Sequence, residues 1–288
     1  MTETTKYIIL LIAAASVTLF FGCRRNNSDR KIVIVSIEPQ RWILEKIVGD
    51  KIQVISFLNG NSDPENFDPP LSTIKAASKS LSYFKTGFLP WEDMIVERIK
   101  GGNDGMKMVT VANGIKPVTG THGHGHSDEV DPHIWTSVKN AKIIAKNMFD
   151  AITEIDSMNS SYYKENFEKL INELDSLDSA FESIKNQNSK NIIVYHPILS
   201  YLARDYNFNQ IVIGSENKEF SISKLKDKLQ EIDGNPYSIA FYQPNGELSQ
   251  LNALLGKTDI RMIEINPMNY DWDIEMNKIL EALTSVQE

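Results

Sequence analysis

The chain has 288 residues, 41% of them hydrophobic and 24% charged, with a formal charge of −8 from 30 Lys and Arg against 38 Asp and Glu. That length and composition allow two domains with full cores and exclude a collagenous, disordered or polytopic chain. The charge speaks against nucleic acid as a partner. The one cysteine leaves no disulfide, no CxxC pair and no cysteine zinc knuckle, so a metal would have to be held by His, carboxylate, amide or water.

Residues 7–22, YIILLIAAASVTLFFG, form an uncharged apolar run after Lys6 that stops at Cys23 and is followed by Arg24 and Arg25. The run is short for a membrane span and has the form of a secretory h-region, with Gly22 before a cysteine as in a bacterial lipoprotein cleavage box. Cys23 is then expected to become the lipidated first residue, an uncleaved anchor being the alternative. Residues 1–29 are read as lipoprotein signal peptide and linker, and both readings place residues 30–288 outside the inner membrane.

Strand-like runs and helical stretches then alternate. KIVIVS at 31–36 precedes a helix near 40–48, and KIQVISFL at 51–58 follows it. A proline-stiffened loop at 59–70 carries Glu65, a candidate oxygen ligand or else a turn acid. Helices starting near Ser72 and Pro90 separate the strand candidates LSYFKTG at 81–87 and MVTV at 108–111.

Three of the five histidines follow, in His122-Gly-His124-Gly-His126. On an extended segment alternate side chains face the same way about 7 Å apart, and the glycines allow the imidazoles to converge on a borderline cation. An inert polar loop is the competing reading, and glycine flexibility argues for a weak auxiliary site. His133 stands in Asp131-Pro132-His133-Ile134-Trp135, where proline and the apolar pair can pre-organise a ligand.

Tyr163, Phe167, Leu170, Leu174, Leu177, Phe181 and Ile184 recur at spacings of four and three, which predicts one long helix from about Ser160 to Lys185. At about 1.5 Å per residue it would run roughly 39 Å, long enough to bind two halves rigidly together. Four more strand candidates come after it, at 191–196, 209–214, 238–243 and 260–266. His196 ends the first of these, at the carboxyl end of a strand, where open α/β sheets bind ligands. Asn266 ends the last, and Asp271 lies just beyond it, a further candidate ligand or the N-cap of the final helix. The fold class expected is α/β, with two βα lobes of largely parallel sheet at 30–158 and 188–288 joined by a linking helix at 159–187.

Taken together, IVIVSIEPQRWILEKIVGD, the proline-rich loop, the His-rich loop directly before DPHIW, SYYKENFEKL and VYHP resemble the periplasmic metal-binding proteins of bacterial zinc and manganese ABC importers, in particular the zinc-uptake type. The resemblance covers the mature chain, and DPHIW after a His-rich loop is its most specific element. It implies two lobes joined by a rigid backbone helix, a single metal in the cleft between them, no catalysed reaction, and delivery of the ion to a permease of the inner membrane; with Cys23 lipidated, a lipid-anchored monomer on the periplasmic side is expected. The family's second and third histidines fall on His133 and His196. Its first ligand position carries Glu65 where Pro-His is usual, and Asn266-Pro267 stands where Asp-Pro is usual. The implied metal set is Glu65, His133, His196 and Asp271, with water or Asn266 also open for the fourth place. Zn2+ is the expected cargo and Mn2+ the runner-up, followed by ferrous iron. Two other classes compete, a zinc-dependent hydrolase and a structural surface lipoprotein. Neither HExxH nor GxSxG is present to favour the hydrolase.

Overall fold

The computed structural model describes residues 31–285 apart from 104, 121–129, 186–190, 215–237, 245 and 257. Cys23 and the His122, His124 and His126 loop therefore lie outside the described residues. Two four-stranded, wholly parallel sheets organise the rest.

The first sheet has the order β2-β1-β3-β4, with β1 at Ile32–Val35, β2 at Gln53–Ser56, β3 at Ser82–Lys85 and β4 at Lys107–Thr110. Helices α1 (Glu38–Val48), α2 (Leu71–Ala77) and α3 (Glu92–Lys100) make its crossovers. In β1 the run of β-branched residues suits a central strand covered on both faces, and Val33, Ile34 and Val35 are buried. A short turn at Ile134–Thr136 then leads into α4 (Val138–Ile155), whose N-cap Ser137 accepts a hydrogen bond from the Asn140 amide.

Helix α5 (Ser160–Ile184) follows, and its apolar seam of Tyr163, Leu170, Leu174, Leu177, Phe181 and Ile184 is buried. The partners of that seam belong to the same chain. Phe167 stacks on Phe149 of α4 at 4.5 Å, Phe181 on Tyr206 at 4.9 Å, and the Asn166 amide donates to the Ile47 carbonyl of α1 at 3.1 Å. Lys46 pairs with Glu173 and Lys142 with Asp178 along its flanks.

The second sheet repeats the arrangement as β6-β5-β7-β8, with β5 at Asn191–Val194, β6 at Asn209–Val212, β7 at Ser238–Tyr242 and β8 at Arg261–Glu264. Helices α6 (Ser200–Tyr206), α7 (Glu247–Leu255) and α8 (Trp272–Thr284) complete it. Side-chain alternation divides β5 between two cores: Ile192 and Val194 join a cluster continuous with the first sheet, while Ile193 packs with Ile211, Ala240, Leu251 and Leu255 on the other face.

Residues between β8 and α8 fasten the two halves together. Trp272 packs on Trp42 of α1 at 5.4 Å, its indole donates to the Trp135 carbonyl at 2.8 Å, and the Trp135 indole donates to the Pro267 carbonyl at 3.0 Å. Arg41 lies over the Tyr270 ring at 4.5 Å, and the Tyr270 hydroxyl donates to Glu45 at 2.6 Å. Lys31–Glu288 accordingly forms one compact unit.

Candidate metal centre

Glu65 belongs to the loop between β2 and α2, which folds on its own side chains. Asp63 accepts from the amides of Glu65 at 2.8 Å and Asn66 at 3.3 Å, the local turn that Asp and Asn favour. Trp91 secures the loop by donating its indole N–H to the Pro64 carbonyl at 2.9 Å, and Phe67 packs edge-on against the same indole at 5.1 Å.

His133 enters from the segment before α4. Its ring is nearly buried, packed edge-on against Trp135 at 5.2 Å, and its Nδ1 lies 2.9 Å from Asp131 Oδ1, which also accepts from the His133 amide at 2.9 Å. With Nδ1 donating to that carboxylate, Nε2 is the atom that carries a lone pair toward the cleft. Burial by itself would push the Asp131 carboxyl up, but the His133 ring and the hydrogen bonds from His133 and Ser200 prevail and hold it at about 2. The Tyr201 hydroxyl donates to the Asp131 carbonyl at 2.7 Å and fixes this segment from α6.

His196 follows β5 and is half-buried. Its Nε2 lies 2.9 Å from Glu65 Oε1, the same oxygen that stands 3.4 Å from His133 Nε2, and the two imidazole rings meet edge-on at 5.3 Å. One ligand atom from each of Glu65, His133 and His196 thus lies within 4.8 Å of the other two. Two borderline nitrogens and one hard anionic oxygen, converging from three loops, form a donor set of the kind that binds a divalent transition metal.

The remaining candidates lie elsewhere. Asp271 is exposed at the N-cap of α8, outside this group, and its side chain makes no capping bond. Asn266 turns inward: its Nδ2 donates to the Gly60 carbonyl at 2.9 Å, its Oδ1 accepts from the Met268 amide at 3.1 Å, and its own amide donates to buried Glu275 at 2.9 Å.

Sequence reasoning missed Asp131 as the support of His133, although an acid two residues before a candidate ligand was a signal for it. It also missed Glu247, the buried first residue of α7, which accepts from the Gln243 amide at 2.8 Å. Burial pushes the Glu247 carboxyl up, against the opposing effects of its bonds from Gln243 and the charge of nearby His196. Glu92 occupies the matching place in the first sheet, at the start of α3, and accepts from the Thr86 amide at 2.5 Å and from Gly87 at 2.6 Å. In both lobes a buried glutamate thus caps the third strand where the strand order reverses.

Residues 33–283 match the sequence model of the family described as zinc-uptake complex component A, periplasmic. A Chlamydia muridarum protein named for metal binding is 31% identical over 269 residues, covering 91% of this chain and 94% of its own. The high-affinity zinc uptake system protein ZnuA of Bacillus subtilis is 26% identical over 238 residues, 77% of this chain and 74% of that one. A crystal structure of ZnuA superposes with a TM-score of 0.80 at 28% identity, covering 90% of this chain and 100% of the other.

Proposed function

The chain belongs to the zinc-uptake complex component A family, and we propose that it is the extracytoplasmic zinc-binding component of an ABC importer, holding the ion on Glu65, His133 and His196 before a membrane permease takes it. The observation that carries this reading is the convergence of those three donor atoms within 4.8 Å. The site's chemistry is uptake and release. Asp131 is committed to His133 and Glu65 is needed as a ligand, so the nearest carboxylates serve binding rather than the activation of a water.

Zinc is the cargo this set fits best. Four-coordinate zinc accepts nitrogen and oxygen donors, and a water completes the set without Asp271. For a given site of this kind, affinity rises from manganese to zinc, while manganese would want about six donors, largely oxygen. Lipidation at Cys23 holds the protein on the membrane, and residues 30–158 and 188–288 act as two lobes around the linking helix at 159–187, as a monomer. Equal free concentrations of zinc and manganese offered to residues 30–288 test the choice of ion. Zinc is expected to fill the site, and retention of manganese against zinc would replace the cargo while leaving the importer role.

A further inference from the structure

The geometry points to Asn266 as a positioning residue that holds the Glu65 loop in place across the cleft, a role that deepens the zinc-binding reading and rests on it. Asn266 stands at the end of β8, on the opposite side of the molecule's chain from the loop after β2, yet its Nδ2 reaches the Gly60 carbonyl at 2.9 Å. The loops are closely apposed there. A Cβ on Gly60 would sit 3.0 Å from the Met268 carbonyl oxygen, so glycine at 60 is what lets the two backbones approach.

The orientation of the Asn266 amide is fixed by three bonds. Its Oδ1, the one side-chain atom able to ligate a metal, accepts from the Met268 amide, and its backbone N–H is held by Glu275, leaving Nδ2 to face Gly60. Trp91 pins the same loop at Pro64 from its own lobe. Glu65 therefore sits in a loop whose backbone is held at Pro64 by Trp91 of one half and at Gly60 by the Asn266 amide of the other. An aspartate there is isosteric but has no N–H for the Gly60 carbonyl and sets a negative charge against it.

The test measures zinc binding to residues 30–288 by competition with chelators of graded strength, for Asn266→Asp and Asn266→Leu, each alone and combined with Glu65→Gln. A positioning role predicts that either Asn266 change weakens zinc binding by about tenfold alone, the scale seen when outer supports of metal ligands are lost, and adds little once Glu65 is replaced. Equal losses in both backgrounds would show that Asn266 acts independently of Glu65 and overturn the assignment. Tighter zinc binding by Asn266→Asp would identify a direct ligand position and overturn it as well, and this sign decides alone where the Glu65→Gln protein binds too weakly to compare. Tight zinc binding by the unaltered protein keeps the importer reading intact under any of these outcomes.

Discussion

Asp131 is fully buried, and its bond to Nδ1 decides what His133 can do. A fully buried carboxylate on Nδ1 fixes both the tautomer and the plane of the ring, so Nε2 carries the lone pair where Glu65 and His196 meet it. Because the group is held at about 2, it is an anion throughout the pH 5 to 8 range, and protonation would reach it only near that value. Asp131→Asn should therefore weaken zinc binding by about 10- to 100-fold at pH 8 in chelator competition, and an unchanged affinity would show that Asp131 does not support the ligand. A proline before His133 and a strand end before His196 marked both as candidates in the sequence, and the structure brings the two rings together. Asp131 was missed and Asn266 was left open as a ligand, since which loop faces which across the fold is not written in the local sequence.

Elements were easier to read than contacts. Seven of the eight strands lie within the runs expected and are shorter than them, with Phe57 and Leu58 after β2 and Tyr195 and His196 after β5 leading into ligand-bearing loops, while β4 at Lys107–Thr110 begins one residue before the run expected at 108–111. The long helix runs to Ile184, as its apolar spacing implied. Helix α4 was not singled out, although Ser137 as cap and the buried series Val138, Ala141, Ile144, Ala145, Met148 and Ile152 carry the helical period. α4 matters mechanically, because it packs along α5 and both helices touch α1 and α6. Two parallel supports of this kind resist hinge bending better than a strand linker would. Small-angle scattering of residues 30–288 is expected to show almost the same radius of gyration with and without zinc, and a large decrease on adding zinc would contradict the rigid support.

At the scale of the whole molecule, two sheets share one strand order, and the candidate ligands come from loops that follow strands of both. Among the described residues the metal group is Glu65, His133 and His196, and His122, His124 and His126 are expected to form a weaker, separate class. Deleting Gly120 to Ser127 should remove the weak class in a zinc titration and spare the tight one, whereas loss of the tight class would make the loop a primary source of ligands. Two imidazoles and one carboxylate, brought together from three loops, are expected to be the zinc site. Calorimetric titration of residues 30–288 with zinc, compared with the protein carrying His133→Ala and His196→Ala together, tests this most directly. The unaltered protein is expected to show one tight site that the double change abolishes, and a tight site that survives the double change would contradict the account.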